Sequence, residues 1–448
     1  MEKKRFHIKR KPISFINVFL LSTVCLALTS CSRQEDNPPT ELTFIHGWGG
    51  AVKTHVLMQE IYDEFAEENP DIVLNSQPSS DSTIAVEKAN DMLALDEMPN
   101  IVSTNGQSYY VSNVVKQGKA LNLAPYIEED PELKASIHPS VLEVWTNEDG
   151  SIYTLPDALE VMGYWYNKQY FTEAGIVDER GKASPPATWD EFYEACEKLE
   201  QWNQKTGTLK GVYALENVQV AENLFLARLA GESEEGYQMA GGVPDTFDHE
   251  AFRNTVKDFS NLYRYSSDTD SIDNARQYFI EGKTAMYFNG VWESEIFQDS
   301  KNREDIACAD YPTRSGESLS YISPSSGYVV YDSPDKKQNE ASVRFLKYML
   351  GSGVQTRLAL ETGQAPSNPD VDNQVIAKGY PMLGNALKTA HDAQIQIKTI
   401  SSVWSNSHLN LFAGHLKAAS GNEDELNDLI LQLDSLQKGD EKEINSSY

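Results

Sequence analysis

The sequence contains little cysteine and no cluster of metal ligands. Four of its 448 residues are cysteine, at Cys25, Cys31, Cys196 and Cys308. Cysteines so few and so widely spaced exclude a disulfide framework and the paired spacing of a zinc site. His408 and His415, seven residues apart on a predicted helix, are too distant to share one metal without further ligands. We therefore expect no metal and no cofactor, and we expect the thiols of Cys196 and Cys308 to be unpaired.

Basic residues are scarce relative to acidic ones. The chain has 38 lysines and arginines against 67 aspartates and glutamates, which gives a formal net charge of −29. Six of the basic residues lie before residue 12, so removal of residues 1–30, which also takes away Glu2, would bring the net charge to −34. A chain this acidic repels nucleic acid and anionic lipid headgroups. We therefore expect no nucleic-acid partner.

Long apolar runs are absent beyond the N-terminus. Residues 13–28 are mostly apolar and directly follow the basic residues, which is the pattern of a secretory signal peptide. A membrane-spanning helix needs about 20 predominantly apolar residues, and no later stretch is comparable. The run ends in "LTSC" at residues 28–31, which resembles the bacterial lipobox, in which the cysteine is diacylated and becomes the new N-terminus. An ordinary signal peptide with a chance cysteine is the alternative.

The lipobox interpretation fixes how the mature protein would be held. It predicts a signal peptide at residues 1–30, a lipid (palmitate) on Cys31 and a polar tether at residues 31–40. The acyl chains would anchor the protein to the extracytoplasmic face of the cell membrane without spanning it.

The rest of the chain alternates short strands with amphipathic helices. "LTFIHGW", "DIVLNSQ" and "NIVST" are predicted strands separated by helices, the first of which presents Leu57, Ile61 and Phe65 on one face. This β-α-β-α-β order predicts an α/β fold with a largely parallel, doubly wound sheet. Thr188 and Glu191 form a predicted capping box at the start of a later helix. More than 400 residues exceed what one core usually holds, so we expect two domains.

Several motifs occur in the order found in one known family. They are "IYTLPDALEVMGYWYNKQYFTEAGI" followed by "PPATWDEFYEACEKL", then "FIEGKTAMYFNGVW", then "ASVRFLKYMLGSGVQ" and "ETGQAP". From about residue 41 to 437 the chain resembles the family-one extracellular solute-binding lipoproteins of ABC sugar importers, the maltodextrin-binding-protein type.

The resemblance implies a two-lobed periplasmic-binding-protein fold. Each lobe would be a largely parallel sheet flanked by helices, with the ligand cleft between the lobes. The implied N-lobe is residues 41–156 plus 326–364, and the implied C-lobe is residues 157–325 plus 365–437, followed by a polar tail at 438–448. The chain would cross between the lobes near residues 155–159, 323–326 and 363–366. Such a hinge lets lobes close around a ligand.

The implied function is binding without catalysis. The protein would be a monomer that captures a carbohydrate, preferably an oligosaccharide, and delivers it to ABC transporter permease subunits. A sugar site needs aromatic platforms for the C–H faces of the ring and planar polar groups for its hydroxyls.

Three tryptophans are candidate platforms. Trp292 and Trp404 match aromatic residues on which the family stacks sugar rings. Trp48 lies in "HGWGG" at the C-terminal end of the first strand, an edge that faces the crevice in open α/β sheets. The alternative for each is an ordinary core tryptophan.

Candidate polar contacts come from several segments. Asn105 and Gln107 follow the third strand at the same edge, and Gln219 and Glu222 lie in a region of loose correspondence to the family. Glu160 matches a hinge-proximal glutamate of the family, and Tyr328 lies near the second crossing. Strand alternation places Glu160 on the side of Met162, Tyr164 and Tyr166, opposite Val161 and Trp165.

Two other functions remain open at this level. A surface glycoside hydrolase would need two carboxylates flanking the scissile bond. Asp157 and Glu160 are expected on opposite faces of an extended strand, roughly 10 Å apart along it, which does not make such a pair. The other alternative is a receptor of the same fold for a non-sugar solute.

Overall fold

A computed structural model describes residues 38–446 of the chain apart from positions 105, 148, 216–217, 268–271 and 326. The predicted signal peptide, Cys31 and most of the predicted tether lie outside the described residues, as does Asn105. Gln219 lies in a described helix, but its side chain is outside the described part. The predictions made for these positions stay predictions.

The strands and helices alternate along most of the chain. The strands are β1 Thr40–His46, β2 Ile72–Pro78, β3 Ile101–Ser103, β4 Leu159–Asn167, β5 Tyr213–Ala214, β6 Ser266–Ser267, β7 Met286–Gly290, β8 Ile306–Ala309, β9 Leu319–Pro324, β10 Tyr328–Val330 and β11 Ile395–Ile397. The helices are α1 Lys53–Glu68, α2 Ser82–Ala94, α3 Ser108–Lys116, α4 Ala124–Glu129, α5 Pro131–Ala135, α6 Pro139–Trp145, α7 Lys168–Glu173, α8 Trp189–Thr206, α9 Val218–Ala230, α10 Glu234–Met239, α11 Glu250–Tyr265, α12 Ile272–Ile280, α13 Ser294–Gln298, α14 Lys336–Met349, α15 Ser352–Thr362, α16 Asn373–Gly379, α17 Pro381–Asp392, α18 Ile400–Val403, α19 Asn406–Gly421 and α20 Glu423–Ser446. No helix in the described ranges is long and apolar enough to cross a membrane.

The first sheet has the order β10-β3-β1-β2 and organises the part of the chain that we call the N-lobe. β1 runs parallel to β2 and β3, as the β-α-β pattern predicts, and β10 joins β3 antiparallel. Both faces of the sheet are covered by helices, because Phe44 packs against Phe345 of α14 on one side while Ile45 packs with α2 on the other. The predicted face of α1 is buried in the first of these cores.

The second sheet organises the C-lobe, and its strand directions differ from the prediction. β4 is its centre and pairs antiparallel with β7, β8 and β9, so only β11 and β9 are parallel. The α/β class is therefore confirmed, but the expectation of a largely parallel sheet in each lobe is wrong for this one. The physical reason is that β4 leaves the crossing between the lobes while β9 returns to it, so the two run in opposite directions.

The side-chain alternation along β4 is confirmed. Met162, Tyr164 and Tyr166 belong to the core under α8, α9 and α11, whereas Val161 and Trp165 belong to a separate core on the other face. Both faces of the strand are thus occupied by apolar groups over most of its length. The predicted capping box of α8 is also present.

Three chain segments run side by side between the lobes. Leu155 and Tyr328 exchange two backbone hydrogen bonds, of 3.2 and 2.7 Å. Leu159 pairs with Pro324 on one side and donates its N–H to Ala365 O, at 2.9 Å, on the other. The predicted first crossing thus lies between the other two. The lobe boundaries proposed from the resemblance stay predictions.

The C-terminal residues correct one expectation. α20 extends through Ser446, so the polar tail expected at 438–448 is helical over most of its length. Lysine and glutamate are good helix formers, and polarity alone did not mark a helix end.

Candidate functional site

A cavity of about 430 Å³ lies where the two sheets and the crossing segments meet. The N-lobe contributes Trp48, Thr54, His55, Ser82, Gly106 and Gln107. The crossing segments contribute Asp157, Leu159, Ser325, Thr362, Gln364 and Ala365. The C-lobe contributes Glu160, Met162, Asn223, Asn289, Trp292 and Glu295. Four of the predicted site residues, Trp48, Gln107, Glu160 and Trp292, are therefore brought together.

Trp292 presents the most accessible aromatic surface of the cavity. It follows β7 in a short 3₁₀ helix, Val291–Glu293, and is 38% exposed. Its ring lies against the backbone of Gly290, where a Cβ atom would collide with the indole. The glycine of the "FNGVW" motif is thus required for the position of the ring, which leaves one indole face available to a ligand.

A buried carboxylate, that of Glu293, anchors the short 3₁₀ helix that carries Trp292. Glu293, which is fully buried, accepts hydrogen bonds from Arg276 Nε at 2.5 Å and Nη2 at 3.0 Å. Asn289 Nδ2 donates to Glu293 Oε1 at 2.8 Å, and Tyr287 OH donates to the same oxygen at 3.2 Å. Two hydrogen bonds between one arginine and one carboxylate restrict the orientation of both side chains and also pair their charges. We infer that the network fixes the orientation of the adjacent Trp292.

Trp48 forms a second, more enclosed aromatic wall. It is 8% exposed and packs edge-on against His55, with ring centroids 5.4 Å apart. His55 Nδ1 accepts the N–H of Gly50 at 2.7 Å, and a Cβ at Gly50 would collide with that imidazole. Gln59 Nε2 donates to Trp48 O at 2.9 Å. Gly50 therefore lets α1 approach the loop after β1 closely, whereas Gly47 and Gly49 face residues 78–82.

Two carboxyl groups lie at the floor of the cavity. Asp157 is 6% exposed, and its Oδ1 accepts a hydrogen bond from Ser325 Oγ at 2.7 Å. Burial raises its pKa, against the opposing effect of that hydrogen bond. Burial also raises the pKa of Glu160 to about 7, partly offset by the Thr399 hydroxyl and increased by the charge of Asp157. Both groups thus occupy an environment that disfavours their charged forms.

The expected placement of these two carboxyls was partly wrong. Asp157 precedes β4 in a bend, whereas Glu160 is the second residue of the strand. Both line the same cavity, although the sequence had placed them on opposite faces. The loop after β3 passes over Glu160, and Gly106, with a φ of +86°, lies beside its Oε1.

The two lobes also touch across the cavity. The Thr54 hydroxyl on α1 donates a hydrogen bond to the Glu295 carboxylate on α13. The adjacent His55 has a pKa lowered by burial, an effect that the charge of Glu295 opposes. These residues carried no motif in the sequence, and only the fold brings them together.

Three predicted residues do not line the cavity. Trp404 is 3% exposed and is enclosed by Phe225, Phe247 and Phe412, with ring centroids 5.2–6.3 Å away. Tyr328 is fully buried in the N-lobe core. Both belong to hydrophobic cores in this structure, because aromatic neighbours from distant segments cover them, and their predicted contacts with a ligand stay predictions. Glu222 is 9% exposed, and burial raises its pKa to about 7, but the adjacent Asn223 lines the cavity in its place.

Comparison with known proteins decides the family. Residues 60–384 match the family model described as bacterial extracellular solute-binding protein. The chain belongs to this family. It is 25% identical over 252 residues to a maltotriose-binding protein of Pyrococcus abyssi, covering 54% of this chain and 50% of that one. It is 27% identical over 162 residues to a maltooligosaccharide ABC transporter solute-binding lipoprotein of Streptococcus pneumoniae, covering 35% and 36%.

The comparison of structures supports the same fold. A Streptococcus pneumoniae solute-binding protein solved with the blood group A-trisaccharide matches with a TM-score of 0.72 and 22% identity, covering 89% of this chain and all of that one. The two-lobed solute-binding fold is therefore confirmed. The sequence matches span only about a third to a half of the length of the curated relatives.

Sequence reasoning missed several cavity residues of this solute-binding protein. Asn289 immediately precedes the glycine of "FNGVW", so a polar residue beside the candidate tryptophan was a usable signal. Ser325 and Gln364 lie in the predicted crossings and could have been proposed from that position. Thr54, His55 and Glu295 offered no comparable signal.

We predict that Glu160→Gln stabilises the ligand-free protein at neutral and higher pH. The folded state retains the Glu160 proton up to about pH 7, whereas the ordinary pKa is 4.5, so stability falls as the pH rises through this interval. The variant should melt at a higher temperature near pH 8, and this gain should disappear towards pH 4.5. Thermal unfolding followed by fluorescence across this range measures it.

The matched control is Glu340→Gln, an exposed acid on α14, which should change the melting temperature little at any pH. A gain at Glu160 that is absent near pH 8, or that is independent of pH, would contradict the account.

We also predict that Glu293→Gln weakens ligand affinity through Trp292. Removal of one partner of a buried ion pair should lower the free energy of unfolding by about 3 kcal/mol. The affinity loss should be seen by calorimetry in the natural chain and should vanish in a Trp292→Ala background. Equal losses in both backgrounds would show that Glu293 does not act through Trp292.

Glu232→Gln is the control for this cycle. Glu232 is a buried acid that pairs with Arg228 and does not line the cavity. Its substitution should lower stability and leave the affinity unchanged.

Proposed function

We propose that this protein is the solute-binding component of an ABC importer and captures a carbohydrate, preferably an oligosaccharide, in the cavity between its lobes. The observation that carries the proposal is the pairing of Trp292 and Trp48, from different lobes, with carboxyl and amide groups in one cavity. Indole faces suit the apolar C–H faces of sugar rings, and the planar polar groups suit the hydroxyls.

The contacts would be shared between the lobes. Trp292 would stack on one ring of the sugar, and Trp48 would close the opposite wall. Glu160 and Asn289 would bind hydroxyls from the C-lobe, and Gln107 from the N-lobe. Because groups on both lobes bind the same ligand, the ligand would favour the closed arrangement over an open one. The permease subunits would recognise that closed arrangement.

The carboxyl groups favour binding over hydrolysis. A glycosidase needs two carboxyl groups that flank the scissile bond. One oxygen of Asp157 is occupied by Ser325, and the other is buried. Both carboxyl groups line the cavity, but the hydrogen bond from Ser325 holds that of Asp157, which leaves it less free to act as a second catalytic group. We therefore propose a receptor without catalytic activity.

The cellular setting of the proposal rests on the N-terminal sequence. The lipobox-like "LTSC" supports a lipid anchor at Cys31 on the extracytoplasmic face of the cell membrane. One of the relatives is named a lipoprotein. We propose that the protein acts there as a monomer beside its permease.

We predict that a panel of mono- and oligosaccharides contains ligands that raise the melting temperature. A form lacking residues 1–31 suits the assay, because residues from Pro39 onward form one compact unit. A ligand that binds only the folded state stabilises it according to its affinity and concentration. Trp292→Ala should weaken the best ligand at least about tenfold, or roughly 1.4 kcal/mol.

Trp202→Ala is the matched control, because Trp202 lies on α8 and packs against Tyr170, away from the cavity. It should leave the affinity unchanged. The proposal fails if no carbohydrate binds, or if bound oligosaccharide is cleaved.

A further inference from the structure

The ionisable groups that line the cavity are mostly acidic. Its lining includes three carboxyl groups, those of Asp157, Glu160 and Glu295, and no lysine or arginine occurs among the lining residues that the structure describes. Its single imidazole, His55, has a pKa lowered by burial and is therefore neutral near pH 7. Arg276 is held behind Trp292 by Glu293. No lysine or arginine of the described lining thus balances these carboxyl groups, and a cationic ligand group would favour their charged forms.

Two buried acids elsewhere in the chain, Glu232 and Glu293, have cationic partners. Glu232 is held by Arg228 and Arg314, both at 2.5 Å. Arg228 also reaches Asp258 at 2.8 Å. This is the usual arrangement, because an unpaired charge is costly to bury. The acids of the cavity differ from Glu232 and Glu293, because no lysine or arginine is among the described lining residues.

Asp157 and Glu160 have polar neighbours but no cation. Asp157 has the hydroxyl groups of Ser325 and Ser103 beside its carboxyl group, and no lysine or arginine is among the described lining residues. Glu160 has the Thr399 hydroxyl beside it and the charge of Asp157 nearby. A positively charged ligand group beside Glu160 would offset the cost that burial imposes on both carboxylates.

The aromatic walls favour the same ligand charge. The faces of indole rings attract cations, and the attraction strengthens where water is excluded. Trp48 and Trp292 both border the cavity that contains Glu160. A cavity lined by carboxyl groups and indole rings, with no lysine or arginine among its described lining residues, suits a ligand that carries an ammonium group.

We propose that the cavity selects a carbohydrate that carries a protonated amine, an amino sugar, over its neutral and acidic counterparts, with Glu160 in contact with the ammonium group. This inference rests on the proposed carbohydrate function and specifies the sugar class. N-acetylation would remove the charge and with it the preference. A uronate or a sulfated sugar would meet repulsion from the cavity carboxylates.

The test compares sugars that differ only in charge. Glucose, glucosamine, N-acetylglucosamine and glucuronate, the matching galactose series, and their disaccharides are titrated calorimetrically near pH 7 into the protein lacking residues 1–31. The amine should bind at least about tenfold tighter than its neutral and N-acetylated counterparts, and the uronate should bind most weakly. Glu160→Gln should bring the affinity of the amine down to that of its neutral counterpart, so that the ratio of the two affinities falls to about one, even where the loss of a hydroxyl contact weakens both sugars. Glu340→Gln should retain the preference.

The outcomes separate this inference from the proposed function. A neutral or acidic sugar that binds as tightly as its amine overturns the inference and leaves the carbohydrate function standing. An amine preference that survives in Glu160→Gln overturns the role given to Glu160. If polyamines bind and no sugar does, both the inference and the proposed function are wrong.

Discussion

The site depends on one backbone arrangement, the segment of residues 155–159 held between two other crossing segments. The backbone of Leu155 is hydrogen-bonded to that of Tyr328, and the backbone of Leu159 is hydrogen-bonded to that of Ala365. The segment is therefore fixed on both sides. Asp157 lies inside this arrangement, and Glu160 is the first residue beyond it. Their position at the floor of the cavity follows from the crossing itself. A receptor whose lobes close around a ligand would require a floor that is fixed in this way.

The floor carries an energetic cost, because its two acids are buried with no lysine or arginine among the described lining residues. Acids such as Glu232 and Glu293 are buried beside arginines. Asp157 and Glu160 are buried beside hydroxyl groups, and their pKa values are raised accordingly. Functional groups that reduce stability in the absence of ligand are common in binding sites. A ligand group that stabilises these two carboxylates would relieve the cost of burying them. The free energy recovered in this way would add to the affinity of the ligand.

Local patterns in the sequence predicted the local structure well. The parallel β1, β2 and β3, the capping box of α8 and the alternation along β4 each depend on residues that are close in the chain. The direction of the strands around β4 was not predictable in this way, because it depends on where the chain crosses between lobes. The burial of the Trp404 side chain was likewise not predictable from residues close to it in the chain. Its burial depends on Phe247 and Phe412, and no local pattern distinguishes it from the accessible Trp292.

The proposed site holds its ligand between Trp48 and Trp292 and not at the other tryptophans. The chain has seven tryptophans, so the indole N–H signals of ¹⁵N-tryptophan-labelled protein give a small spectrum that single tryptophan-to-phenylalanine variants can assign. Titration with the best carbohydrate should shift the signals of Trp48 and Trp292 most strongly, while those of the core residues Trp165, Trp189 and Trp404 change little. Saturable binding that shifts Trp404 and leaves Trp292 unaffected would contradict the account.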